Sequence, residues 1–239
     1  MNRQVANCKR GRPGEPIAFN ENQLFLMVLI EMSRVIDSPY YQASASTANA
    51  REARTLYPRL VAQGQRYFSD HLATNNDDPA NPRYTWKHVE GAAEDSHDDA
   101  SHGSVSMRYI SLLNRDLVRL TTAAAVSGES MSFDATYLRR FANTFLYMTG
   151  NGHLAEDNAG DTGDPLDARD GNCEGWIDLS VVDARVYDRC HEIALRQVNG
   201  TQPYIGKGSH SDLLANKRVR YPTTRLGPIS SSRETTRAR

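Results

Sequence analysis

Residues 84–103 hold the densest set of groups able to do acid–base chemistry: Tyr84, Trp86, Lys87 and His88, then Glu94, Asp95, His97, Asp98, Asp99 and His102. Imidazoles titrate near neutral pH, and a carboxylate beside one fixes its orientation and its proton. An apolar helical run starts at about His102, so side chains at its head face a shared opening, where the helix dipole favours anions and titratable groups. Structural roles compete for the same residues. His102 also reads as a helix-capping residue bonded to Asp99, Trp86 and Trp176 as core, and Tyr109 as packing on its helix stripe. Glu94 and Asp99 could instead act as the paired carboxylates of a hydrolase, at a separation that a sequence does not give.

A second polar set lies in residues 150–173, where Asp157, Asp161, Asp164, Asp167 and Asp170 recur among glycines. Carboxylate and carbonyl oxygens are the ligands of calcium, so Asp157, Asp161 and Asp164 are candidate ligands for that ion. The spacing is not that of an EF-hand, and a solvated acidic loop is the competing reading. Cys8, Cys173 and Cys190 are too few for a disulfide framework; Cys173 and Cys190 flank one junction and read either as free thiols or as a pair. No Cys or His pair has the close spacing of a zinc-binding motif set against a second such pair, so no zinc site is expected.

Several helices must position these groups. Apolar residues at three- and four-residue steps predict a helix from about Asn20 to Asp37, with Asn20 as N-cap and Leu24, Phe25, Val28, Leu29, Met32, Val35 and Ile36 on its apolar face. A second helix is expected over about Thr47–Leu72, kinked or restarted at Pro58. Others are expected over about His102–Leu120, Asp134–Met148 and Asp183–Val198. Residues 73–101 and 150–173 read as long polar loops, and no segment reads as a strong strand. The expected fold is all-α, with helices packed in antiparallel pairs. Residues 1–18 read as an N-terminal arm, 19–200 as the helical domain and 201–239 as an extended or disordered tail.

Three short stretches carry a resemblance. Tyr84-x-Trp86 followed by Asp98-Asp99-x-Ser101-His102-Gly103, Phe19-Asn20-Glu21-Asn22-Gln23 opening the first helix, and Gly175-Trp176-Ile177-Asp178-Leu179 ahead of Asp183-Ala184-Arg185 resemble, in order, elements of bacterial (α/α)-toroid proteins of the polysaccharide-lyase kind. The resemblance spans about residues 17 to 195. Asp98 stands where that pattern more often has Glu, Ala18 where it has Pro, and Ser106 where an acidic residue usually follows. A ring of six or seven helix pairs needs more helices than the five expected here. The resemblance therefore implies part of a toroid, its C-terminal half or an arc completed by self-association.

The resemblance implies β-elimination on an acidic, uronic-acid polysaccharide, with no cofactor required. On this reading His102 is the base, Tyr84 or Tyr109 the acid, and Asn20 or Asn22 the group that neutralises the sugar carboxylate, with Asp99 beside the base. Trp86 and Trp176 would offer flat faces to sugar rings, with Lys87, His88 and Arg108 binding acid groups. An extracellular or periplasmic location goes with it, although residues 1–16 are polar and show no secretory signal. The alternative is a non-catalytic structural or carbohydrate-binding protein that self-assembles on the same scaffold.

Charge and hydropathy narrow the partners. The 28 basic and 29 acidic residues nearly cancel, which gives no reason to expect nucleic acid. Residues 201–239 carry eight Lys or Arg against Asp212 and Glu234, a net +6, which leaves 20 basic and 27 acidic residues, a net −7, in residues 1–200. Lys217-Arg218-Val219-Arg220 in that tail reads as a polyanion contact or as a solvated charge run. No apolar run approaches the roughly 20 residues of a membrane span, so no membrane partner is expected.

Overall fold

The computed structural model describes residues 17–41, 47–90, 97–150, 158, 173 and 175–198, without the side chains of residues 101 and 194–198. The expected N-terminal arm up to residue 16, the aspartates of the acidic loop, Glu94, Cys8 and the basic tail lie outside them. The order of elements is α1 (Phe19–Asp37), α2 (Ala48–Asp70), β1 (Ala73–Asn75), β2 (Arg83–Thr85), α3 (Ala100–Ala125), α4 (Ala135–Met148), a 3-10 turn (Trp176–Val181) and α5 (Ala184–Val198). The protein is mainly helical, as its periodicity predicts. No described helix is long and apolar enough to cross a membrane.

Three of the helices start where a short polar side chain can accept from an unpaired first-turn amide. Thr47 Oγ1 accepts from the Ala50 amide at 3.2 Å, Asp99 Oδ1 from the His102 amide at 2.8 Å and Asp134 Oδ1 from the Tyr137 amide at 2.8 Å. Helix α1 departs from this. Its N-cap position is Ala18, with no side-chain cap, and the expected cap Asn20 lies inside the first turn, where its Oδ1 accepts from the adjacent Glu21 amide at 2.9 Å. Helix α2 runs as one element through the buried Pro58. Two short strands replace part of the expected loop over residues 73–101: β1 and β2 pair antiparallel, with Ala73 opposite Thr85 and Asn75 opposite Arg83.

The buried face of α1 differs from the predicted one. Leu29 and Ile36 are in the core, but they are joined there by Phe19, Leu26 and Ile30 and by the polar Asn20, Asn22, Gln23 and Ser33. Leu24, Phe25, Val28, Met32 and Val35 are exposed. Leu24 to Ile30 is apolar without a break, so periodicity leaves two stripes to choose from, and packing on α2 and α3 selects the Leu26–Ile30 side.

Helices α1, α2 and α3 pack on one another, while the 3-10 turn packs on α3, α4 and α5, and α4 packs on β2. One apolar core joins them, with Phe68, Trp86, Tyr109, Phe141, Phe145 and Trp176 its largest buried side chains. Phe141 packs edge-on to Trp86 with ring centroids 5.6 Å apart, and Phe145 stacks on Trp176 at 5.2 Å. The 3-10 turn lies directly on α3: a Cβ added at Gly175 would sit 1.7 Å from the Ser104 carbonyl oxygen.

Candidate functional site

The head of α3 is built by three pieces of chain. Residues 86–88, which follow β2, run alongside 97–98, with Lys87 and His97 bridged antiparallel and the Asp98 amide donating to the Trp86 carbonyl at 3.2 Å. Buried Asn158 closes the third side: its amide donates to the Asp98 carbonyl at 2.9 Å, and its side chain accepts from the Trp86 amide at 3.0 Å and donates to the Trp86 carbonyl at 2.9 Å. The start of α1 joins through the Phe19 amide, which donates to the His88 carbonyl at 3.1 Å. The Trp86 and Asp98 amides and carbonyls in this crossing therefore all have partners, as burial requires.

Asp98 is the centre of the arrangement. Its side chain is 1% exposed. One carboxylate oxygen, Oδ2, accepts from the Trp86 indole N–H at 2.7 Å, and the other, Oδ1, lies 2.8 Å from His88 Nδ1. Burial pushes the Asp98 carboxyl above the usual carboxylate range, while the His88 imidazole and the Trp86 N–H pull it back. The next residue, Asp99, does two jobs at once. Oδ1 caps α3 and Oδ2 lies 2.6 Å from His102 Nδ1. The imidazoles of His88 and His102 meet edge to face, with ring centroids 4.5 Å apart. The His102 side chain is 49% exposed, so this end of the cluster opens to solvent.

The expected site residues divide between this centre and the core. His102, Asp99 and His88 come together. Trp86 and Trp176 are not sugar platforms: they are 2% and 0% exposed, packed among Phe141, Phe145 and each other. The Trp176 indole N–H donates to the Ala100 carbonyl at 2.7 Å, so both tryptophans brace the head of α3 from beneath. Tyr109 is fully buried, and burial holds its phenol well above its ordinary range, so it is packing rather than an acid. Tyr84 sits against Tyr137 and Phe141, with the Arg140 guanidinium 5.3 Å from its ring centroid.

Asn20 and Asn22 are largely buried, each 9% exposed. Lys87 is half-buried beside His97, and Arg108 is exposed on α3, where its charge acts on the Asp178 carboxyl. Burial raises that carboxyl, while Ser111 and then Arg108 and Arg115 oppose the rise. Cys173 and Cys190 are buried free thiols. Burial, and then the neighbouring Cys173, push the Cys190 thiol well above its ordinary range. The candidate calcium ligands Asp157, Asp161 and Asp164 lie outside the described residues.

Asp98, named in the polar cluster but given no role there, and Asn158 are the residues whose part the sequence reading does not assign. Asp98 has a signal in the chain, because a doublet of aspartates before a helix leaves one free to turn inward when the other caps. Asn158 has none. Its role comes from a contact across 72 residues.

Comparison with models of known families, with curated proteins and with solved structures gave no match in any of the three.

Proposed function

We propose that the chain is a carbohydrate-active protein of the lyase kind, acting on an acidic, uronic-acid polysaccharide at the head of α3. The observation that carries this reading is the His102 imidazole, half exposed and held through Nδ1 at 2.6 Å from the Asp99 carboxylate. A carboxylate at Nδ1 keeps the proton on that nitrogen and leaves the lone pair on Nε2, where a base needs it. In β-elimination Nε2 takes the proton next to the sugar carboxylate, the freed electron pair forms a carbon–carbon double bond, and the bond to the leaving oxygen breaks, that oxygen taking a proton from water. The short motifs around Asn20, Trp86 and Trp176 support the same reading, with the tryptophans as braces.

The test is ultraviolet absorbance of an unsaturated product on incubation with alginate, glucuronan or a glycosaminoglycan. Absorbance should rise with the unaltered chain and His97→Ala and be lost with His102→Ala. No rise on any of the three polymers refutes the reading.

A second reading, a non-catalytic protein that assembles with copies of itself, is favoured by the exposed apolar face of α1. Phe25, Val28 and Val35 are 50%, 53% and 58% exposed, with Leu24 and Met32 beside them. A contiguous apolar face of this kind commonly marks an interaction surface. Sedimentation of the chain and of Val28→Asp distinguishes the two: an assembly that the substitution dissolves, with polysaccharide bound but not cleaved, supports self-assembly.

A further inference from the structure

We infer that His88, Asp98 and His102 form a binding site for a divalent transition-metal ion of the zinc class. Each offers one ligand atom, and the three atoms lie within 4.8 Å of one another. Two imidazole nitrogens and a carboxylate oxygen are a ligand set suited to zinc and its neighbours, not to calcium or magnesium, which take oxygen alone. Zinc–ligand bonds of about 2.0–2.2 Å at tetrahedral angles place ligand atoms about 3.3 Å apart. His88 Nδ1 and Asp98 Oδ1, now 2.8 Å apart, have to open by about 0.5 Å, and His102 has to close in. It is the most exposed of the three and stands at ring contact with His88.

The surrounding shell is what a metal centre requires. Asp98 Oδ2 is held by the Trp86 N–H, which leaves Oδ1 for the ion, and His102 Nδ1 is held by Asp99, which leaves Nε2 as that ring's ligand atom. A carboxylate behind a ligating histidine fixes its tautomer and strengthens it as a donor. The N-terminal dipole of α3 opposes a cation there, and the two aspartate charges offset it. On binding, the ion replaces the hydrogen bond between His88 Nδ1 and Asp98 Oδ1, and a neutral His88 ligating through Nδ1 carries its one proton on Nε2. Three protein ligands leave a fourth position open to water or to an acidic group.

This inference uses the site of the proposed function but not its chemistry, since an ion on His102 Nε2 occupies the lone pair that would take a proton. Bound metal and free base are alternative states of one imidazole. The test is titration of the full chain with zinc against a chromophoric chelator, without polysaccharide. One equivalent is expected to bind, with affinity falling at least about 100-fold in His102→Ala and His88→Ala and about 10–100-fold in Asp99→Asn. Affinity should be unchanged in His191→Ala and Cys190→Ser.

His102 is exposed enough to be replaced without opening the core, and far-UV circular dichroism confirms the fold. Cobalt in place of zinc should give visible bands without thiolate charge transfer. Absence of a tight site, equal binding by His102→Ala, or loss of binding in Cys190→Ser overturns the assignment. A chain that binds zinc but cleaves no polysaccharide refutes only the lyase reading, and the reverse result only this one.

Discussion

Replacing Gly175 by alanine should destabilise the fold although its backbone would welcome a side chain. At φ −82° and ψ −35° the residue is in the ordinary right-handed region, where Gly→Ala by itself stabilises by about 0.4–1 kcal/mol through the unfolded chain. Against that stands the packing of the 3-10 turn on α3. The new Cβ would lie 1.7 Å from the Ser104 carbonyl oxygen, 2.7 Å from the Ser104 carbonyl carbon and 2.8 Å from the Arg108 amide nitrogen. An ordinary carbon–oxygen contact is about 3.3 Å, so the turn must retreat by roughly 1.6 Å. All three obstacles are helix backbone and cannot rotate aside. Overpacking costs about 1–3 kcal/mol where side chains can adjust, and rigid backbone puts this site at the upper end.

The net loss is therefore about 2–3 kcal/mol. With a urea slope of about 3 kcal/mol/M, the unfolding midpoint falls by about 0.7–1 M. The near-ultraviolet signal of Trp176, which rides on the turn, should change as well. Gly128 is the control. Its φ of +73° makes alanine strained by about 1 kcal/mol, but nothing lies within 4 Å of an added Cβ. Gly175→Ala should therefore be the worse of the two. A midpoint equal to or above that of the unaltered chain, or a larger loss at Gly128, refutes the steric argument.

Three further outcomes are expected. Leu26→Ala on the buried side of α1 should cost about 2–5 kcal/mol in urea unfolding, and Leu24→Ala on the exposed side under about 0.5 kcal/mol, although the two are near neighbours in one helix. Asp99→Asn keeps a good helix cap and so should shift stability by less than about 0.5 kcal/mol, yet it removes the carboxylate from His102 and should slow elimination by about 100-fold or more.

The third concerns acid. The Arg185 side chain, which bonds to Asp183, holds that carboxyl below the usual range, so the pair stabilises above the unfolded carboxylate value and loses this as pH falls through the lower folded value. Asp183→Asn should flatten stability against pH in that acidic window and leave its slope near neutral pH unchanged; an unaltered acid limb would show that the pair contributes nothing.

The amino-acid order alone determined the helices and most of their limits, because caps and periodicity act within a few residues. Thr47 and Asp134 could be read as starts in this way, whereas the helix expected from His102 begins at Ala100 with Asp99 as its cap, and residues 84–103 could be read as the polar centre from their composition. Packing across the chain decided the rest. An apolar run that wraps α1 gives a local pattern with two answers, and only contact with α2 and α3 buries Leu26 and Ile30 and leaves Leu24 and Val28 in water. Two tryptophans suited to sugar rings went inside because Phe141 and Phe145 of α4 meet them there. Asp98 became the buried centre of the cluster through Trp86, His88 and Asn158. The last of these is 60 positions further along the chain, beyond the reach of any local signal.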